Sequence, residues 1–189
     1  MTALQIQIQR PAPGSALAAA AAQAAARSRL SLRRLFPRDP RFAQAFAALS
    51  PGHCFVAAQG GALRGVLLMR IEGRDAFALS GARLVRLYGP MGRLRLALVR
   101  VAEALTAGPA THVSAFWVDP AHRGRGIGAA LLSALTRETP AEITLLARPG
   151  REGFYARHGF APGGPARLRL IGPLIGMTAM RRAPHPRRD

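Results

Sequence analysis

The sequence predicts an α/β fold, with strands and helices interleaved along a single domain. Three observations carry that expectation. Leu4, Ile6 and Ile8 alternate with Gln5, Gln7 and Gln9, the period of two expected of a half-buried strand. Ile127, Leu131, Leu132 and Leu135 recur at the spacing of one helix face. Between that helix and the β-rich run 113–118 lies a loop of small residues, so a strand passes through a glycine-rich turn straight into a helix.

Taken in order, the first strand ends at Pro11, Pro13 and Gly14. Ser15 is placed to cap a helix through the alanine-rich stretch to about Ser28. Asp39-Pro40 reads as a second helix start, with Phe42, Phe46 and Leu49 on one face, stopped by Ser50-Pro51-Gly52. Residues 54–58 and 63–71 read as strands joined through Gly60-Gly61, a hairpin signal. Residues 73–110 are read as a helical insertion. Leu94, Leu98, Val101 and Leu105 follow helical spacing there, with Gly89-Pro90 and Gly92 as breaks before them. After the strand at 113–118 and the helix ending before Pro140 come a short strand at 143–147 and one or two helical turns at 153–158. Gly159-Phe160 then starts an extended segment, and a last strand is expected at 175–180. The domain is expected to span 1–182, with 183–189 a disordered Pro/Arg-rich tail.

Composition bounds the class. With 189 residues, 49% of them hydrophobic and 19% charged, the chain is long enough to bury a core without staples and lies away from disordered compositions. Cys54 is the only cysteine, which excludes an internal disulfide framework and a cysteine-based zinc site, and no metal is expected. The net charge is +18, yet all 27 basic residues are arginine and neither lysine nor asparagine occurs. That skew is the mark of a GC-rich coding genome, so the charge is discounted as evidence for a nucleic-acid partner. No apolar run reaches the ~18–20 residues of a membrane span, and no membrane partner is expected. The first forty residues share the Arg-rich, acid-poor composition of transit peptides. The alternating strand and the Ser15 cap favour the first elements of a cytoplasmic fold instead.

Chemistry concentrates in Val118-Asp119-Pro120-Ala121-His122-Arg123-Gly124-Arg125-Gly126-Ile127-Gly128-Ala129. A strand that turns through glycines into a helix exposes backbone N–H groups at the positive end of the helix dipole, which makes an anion site. Arg123 and Arg125 add charge-assisted donors. A P-loop is excluded because it requires lysine. Gly124, Gly126 and Ala129 satisfy the dinucleotide pattern G-x-G-x-x-A. The acid that should end the next strand is missing, however, and only about sixty residues follow, too few for a doubly wound sheet. A purely structural turn is the bland alternative.

Arg123-x-x-Gly126-x-Gly128, followed by Ala-Leu-Leu, resembles the acyl-CoA loop of the GNAT superfamily of N-acetyltransferases. Gly153-Phe154-Tyr155-Ala156-Arg157-His158-Gly159-Phe160 resembles that superfamily's F-Y-x-x-x-G-F segment. The specific likeness covers roughly residues 112–160. It implies an α+β fold: a mixed, mostly antiparallel sheet of six to seven strands flanked by helices and splayed between the fourth and fifth strands. Acetyl-CoA would enter that wedge, its pantetheine arm against the backbone of Phe116, Trp117 and Val118. Its pyrophosphate would sit on the amides of Arg123, Gly124, Arg125, Gly126, Ile127, Gly128 and Ala129. The superfamily's asparagine before the tyrosine helix has no counterpart, since Arg148, Pro149 and Gly150 fill that stretch.

The resemblance implies an N-acyltransferase that moves acetyl from acetyl-CoA to a primary amine, a small molecule or a protein N-terminus, by direct attack. Tyr155 is placed to protonate the leaving thiolate. His112 and Ser114, expected on one strand face, are the base candidates, with Glu72 next; Glu152 is expected to cap the tyrosine helix. The insertion is expected to form a substrate-side lid or a homodimer surface. Its arginines, among them Arg83, Arg86, Arg93, Arg95 and Arg100, outweigh Asp75 and Glu103 and favour an acceptor that carries negative or neutral groups. The competing class is a non-catalytic basic module of the same fold, associated with RNA or the ribosome. Such a binder should interleave aromatics with its arginines, and aromatics make up only 6% of the chain.

Overall fold

A computed structural model describes residues 5–28, 44, 46–106, 110–174 and 176–185. The element order is β1 (Gln7–Gln9), α1 (Ala16–Ser28), β2 (Phe46–Leu49), β3 (Cys54–Gln59), β4 (Ala62–Ile71), β5 (Arg74–Asp75) and β6 (Phe77–Leu79). There follow α2 (Gly81–Tyr88), α3 (Pro90–Thr106), β7 (Thr111–Val118), α4 (Ile127–Glu138), β8 (Ile143–Ala147), α5 (Glu152–Ala156), β9 (Ala161–Pro162), α6 (Ala166–Leu174) and β10 (Thr178–Arg182).

The main sheet has eight strands in the order β1-β3-β4-β7-β8-β10-β9, with β5 beside β4; β2 and β6 form a separate pair. Among the described residues the pairing of β7 with β8 is parallel and every other pairing is antiparallel. The sheet is therefore the mixed, mostly antiparallel one expected, its count raised above seven by the two-residue strands β5 and β9.

Local sequence accounts for most elements. The Ser15 hydroxyl accepts from the Ala18 N–H at 3.1 Å and caps α1 as expected. Gly60 and Gly61, both at positive φ, close the β3–β4 hairpin. Leu131, Leu132 and Leu135 of α4 are fully buried against Phe55, Leu67 and Met69 on one sheet face. On the other face Ala21 and Ala25 of α1 pack with Val56, Leu68 and Ala115, and alanine lets that helix approach closely.

Four expectations change. The helix start at Asp39-Pro40 and Phe42 lie outside the described residues, but Phe46–Leu49 is a strand paired with Phe77–Leu79. Its ladder partner lies about thirty residues on, where helical spacing cannot see it. Gly92 lies inside α3, where a Cβ would stand 2.4 Å from the Leu84 carbonyl oxygen, so this glycine admits α2 rather than ending a helix. The last strand begins at Thr178, because α6, which the sequence did not suggest, occupies 166–174. Finally, Leu94, Leu98 and Val101 do lie on a helix, but their stripe is exposed. At the C-terminal end, the His185 N–H donates to the Pro140 carbonyl at 3.0 Å, which ties that residue to the domain.

Candidate active site

β7 is the spine of the site. Its ladder with β4 runs Gly65↔Val118, Val66↔Trp117, Leu67↔Phe116 and Leu68↔Ala115, then shifts to Met69↔Val113 and Arg70↔His112. Ser114 is the extra residue of a β-bulge, a device that bends a strand and breaks its alternation. The clusters record the break: Val113 packs on the α4 side, Ala115 on the α1 side. The strict alternation that would put His112 and Ser114 on one face therefore does not hold.

The bulge also marks where the sheet opens. β7 and β8 pair at Thr111↔Ile143, His112↔Thr144 and Val113↔Leu145. Among the described residues, no β8 residue pairs with the stretch 114–118, although β8 stays paired to β10 as far as Ala147↔Thr178. The two strands thus part beyond Val113, where the resemblance implied a splay.

The loop after β7 is locked to the strand. Asp119 accepts from the Ala121 N–H (3.1 Å), His122 Nδ1 (2.9 Å) and Arg64 Nη1 (3.4 Å). The Ala121 bond leads in holding its carboxyl below the usual range. Arg123 Nε donates back to the Val118 carbonyl at 3.3 Å, and the Arg123 N–H donates to Pro120 at 3.4 Å. Gly124 and Gly126 both sit at φ 77°, a conformation that strains any residue with a Cβ. Gly126 is the N-cap of α4 and has no side chain to satisfy the first-turn donors, which leaves the amides of Ile127, Gly128 and Ala129 facing outward. Open space surrounds Gly124 and Gly126, so their φ, not crowding, demands glycine.

Gly128 is different. A Cβ there would stand 3.4 Å from Phe154 Cζ and 3.5 Å from Phe116 Cζ. The start of α4, the middle of β7 and the tyrosine helix α5 therefore converge. Phe116 stacks on Phe154 at 6.0 Å, and Tyr155 lies 6.3 Å from Phe116, 5.1 Å from Phe154 and 6.0 Å from Phe160. Burial pushes the Tyr155 phenol up to about 12, with Arg148 and Arg151 pulling the other way. Glu152 opens α5 and accepts from the Thr178 hydroxyl at 3.0 Å, its carboxyl held low first by its own backbone N–H.

The remaining predicted residues fall elsewhere. Trp117 packs on the α1 side, opposite Phe116. His112 is buried, with Nδ1 3.1 Å from Thr144 Oγ1 and Arg70 opposite it on β4. Met69, Ile143 and Leu145 alternate with Arg70 and Thr144 and pack on the α4 side, so His112 faces the other way. Glu72 sits in the exposed β4–β5 turn at φ 50°, beyond Arg70 and away from the parting of β7 and β8. Asp75 is spent on a buried pair with Arg70 at 2.9 Å. Thr144 and the Arg70–Asp75 pair were not singled out from the sequence, and Phe154 was named there only as part of the tyrosine block. A polar threonine and arginine in otherwise apolar strands were the available signals. Among the described residues, no cluster of three or more metal-ligating side chains occurs, and no helix is long and apolar enough to cross a membrane.

Known proteins give the geometry its context. No curated protein matches the sequence. Among solved structures, N-acetylglutamate synthase from Neisseria gonorrhoeae, complexed with coenzyme A and N-acetyl-glutamate, superposes with a TM-score of 0.53 at 12% identity, over 96% of this chain and 36% of that one. The chain spans about a third of that synthase's length. GphF, a GNAT-like decarboxylase in complex with isobutyryl-CoA, gives 0.52 at 18% identity over 95% of this chain and 98% of its own. An agmatine N-acetyltransferase variant in its apo form gives 0.52 at 14% over 93% and 97%. At such identities the likeness is one of fold. The acetyltransferase (GNAT) family model matches residues 22–160, well over half the chain, and with these two blocks in place the chain belongs to the GNAT family.

Proposed function

We propose that the chain is an acyl-CoA-dependent N-acyltransferase that moves acetyl from acetyl-CoA to a primary amine by direct attack. The observation that carries this reading is the parting of β7 from β8 beside the uncapped start of α4, with Tyr155 packed at the same place. The amide-bearing arm of coenzyme A can lie along the β7 backbone at 116–118 as an added strand would. Its pyrophosphate meets the outward amides and the positive dipole end of α4, beside Arg125.

The amine nitrogen attacks the thioester carbonyl. A C–N bond forms, the C–S bond breaks, and the oxyanion is met by a β7 backbone N–H near Val118. The amine proton must leave toward a base. His112 is the candidate on the face opposite Tyr155. In the tautomer that donates from Nδ1 to the Thr144 oxygen, its Nε2 carries the lone pair. His112 is buried where β7 and β8 are still paired, so the amine proton would pass to it through Ser114 and water.

Magnitudes define what Tyr155 does. A phenol near 12 holds its proton at neutral pH, but passing it to a thiolate of pKa ~8.5 is uphill by roughly 4–5 kcal/mol. The phenol therefore keeps its proton and stabilises the departing thiolate through a hydrogen bond; the thiolate leaves as the anion and is protonated by solvent, while the amine proton goes to the base. With Asp75 already paired to Arg70, the insertion offers little negative charge to a polycationic amine. Amines beside carboxylate or neutral groups are the favoured acceptors.

The test is acetyl-CoA turnover against a panel of amines at low and high salt. The wild type should acetylate carboxylate-bearing or neutral amines in preference to spermidine. Tyr155→Phe should lower kcat about 10–100-fold with little change in KM, and the deficit should shrink with a low-pKa leaving thiol. Saturable acetyl-CoA binding with no transfer to any amine would leave the non-catalytic binding module in its place.

A further inference from the structure

We propose that Arg148 and Arg151, the two corners of the turn between β8 and α5, hold a carboxylate of the substrate that reacts beside Tyr155. That carboxylate belongs to the amine acceptor or to the far end of a dicarboxylic acyl group. The assignment rests on the acyltransferase reading above, which puts the thioester at Tyr155. It adds the side chains that select the substrate, and it admits a charged acyl group as well as a charged acceptor.

Arg148-Pro149-Gly150-Arg151 is a rigid turn by its local chemistry. Pro149 presets φ at the second position and Gly150 takes φ 76° at the third, which is the type II form. The Arg151 N–H closes the turn on the Arg148 carbonyl at 3.0 Å. A closed turn brings its first and fourth Cα atoms within ~7 Å, so the two arginines are held side by side. Both are exposed, and neither guanidinium has a hydrogen-bond or ion-pair partner among the described residues. The adjacent acid does not neutralise them. Glu152 engages its own backbone N–H and the Thr178 hydroxyl, and neither arginine is among the causes that hold its carboxyl low. Two neighbouring cations repel each other, and an anion between them relieves that repulsion.

The turn stands at the reacting end of the site. Ala147 ends β8, still paired with Thr178 of β10, where β7 has already parted from β8 beyond Val113. Arg148 follows on that open lip. Arg151 occupies the N-cap position of α5, and its carbonyl accepts from the Phe154 N–H at 3.1 Å and the Tyr155 N–H at 3.4 Å. Residues four apart on a helix share a face, so Arg151 lies one turn below Tyr155. Both guanidinium charges act on the Tyr155 phenol, which itself lies 6.3 Å from Phe116 of β7. The phosphates of coenzyme A belong elsewhere, at the outward amides of Ile127, Gly128 and Ala129. The pantetheine arm, with its two amide units, separates them from the thioester. An anion beside Tyr155 is therefore part of a reacting group, and arginine's planar fork of N–H donors matches the two oxygens of a carboxylate.

Two pairs of non-reactive coenzyme A thioethers test the assignment by calorimetry on the whole chain, with coenzyme A itself as reference. In the first pair the sulfur carries an acetyl bridge to β-alanine or to β-alaninamide, which presents an acceptor with and without its carboxylate. In the second it carries a carboxypropyl chain or the matching amide, which does the same for the acyl group. The wild type should bind the acid of at least one pair about tenfold or more tighter than its amide, and the pair that shows the preference names the source of the carboxylate. Arg148→Gln together with Arg151→Gln should erase that preference and leave the affinity for coenzyme A unchanged, which also reports that the variant is folded. Equal binding of acid and amide in both pairs, or a preference that survives in the double variant, would overturn the proposal. So would an equal loss for coenzyme A and every analogue in the double variant, since the arginines would then hold a phosphate. If coenzyme A itself does not bind, the acyltransferase reading fails and takes this assignment with it; if it binds and no acid is preferred, only the assignment fails.

Discussion

α3 and α4 are both leucine-rich helices with one regular apolar face, and the fold uses those faces in opposite ways. In α4, Ile127, Leu131, Leu132 and Leu135 are at most 2% exposed, sealed against the sheet. In α3 the regular stripe stays at 46–58% exposed. The helix is seated instead by its other side, where Gly92 meets the Leu84 backbone and Leu96 meets Gly81 at 3.3 Å from a Cβ position. The difference teaches that periodicity locates a helix and its apolar face but not the surface that face covers. The better local signal for the buried side of α3 was a single interior glycine, the residue that permits close approach.

The sharpest way to break this comparison is to truncate one leucine in each helix. Leu131→Ala should cost about 2–5 kcal/mol in denaturant unfolding, whereas Leu98→Ala should stay within about 0.5 kcal/mol. Similar losses at both sites would mean that the α3 stripe is covered within the monomer.

The second prediction sets a buried phenol and a buried thiol against the solvent. Burial raises Tyr155 from 10 to about 12 and Cys54 from 9 to about 12. Both fold best with the proton on. Their contribution is complete below the unfolded value and is lost as pH climbs through the folded one, by roughly 2–4 kcal/mol per group. Tm should therefore fall between about pH 9 and 12, less steeply in Tyr155→Phe and in Cys54→Ala. A flat Tm across that range would contradict the burial of both groups.

The third prediction concerns how α3 is seated. Gly92→Ala forces the Leu84 carbonyl to move and should destabilise by about 1–3 kcal/mol. Gly52→Ala, which meets nothing within 4 Å, is the control and should change little. Loss at Gly52 equal to that at Gly92 would remove the close α2–α3 approach from the account.

Much of the fold was legible because its signals are local. The Ser15 cap, the Gly60-Gly61 hairpin, the run into β7 and the leucines of α4 each act within a few residues. The glycine loop and the tyrosine block were legible for the same reason. Pairings between distant segments were not. Phe46–Leu49 becomes a strand only because Phe77–Leu79 lies beside it. The bulge at Ser114 is set by the β4 register, so strict alternation misplaced His112 relative to its neighbour. Thr144 gained its place through a parallel neighbour more than thirty residues away. The pairing of Asp75 with Arg70 likewise left one of the insertion's two acids unavailable to an acceptor.

The central claim is that the start of α4, and not the apolar stripe of α3, holds the acyl donor. Calorimetric titration of acetyl-CoA into the wild type, Leu98→Glu and Gly126→Val tests it most directly. The account predicts one saturable site per chain, unchanged in Leu98→Glu. In Gly126→Val the site should weaken about tenfold or more, because the β-branched side chain cannot hold φ 77° and the outward amides lose their aim. No heat at millimolar acetyl-CoA, or affinity in Gly126→Val equal to wild type, would contradict it.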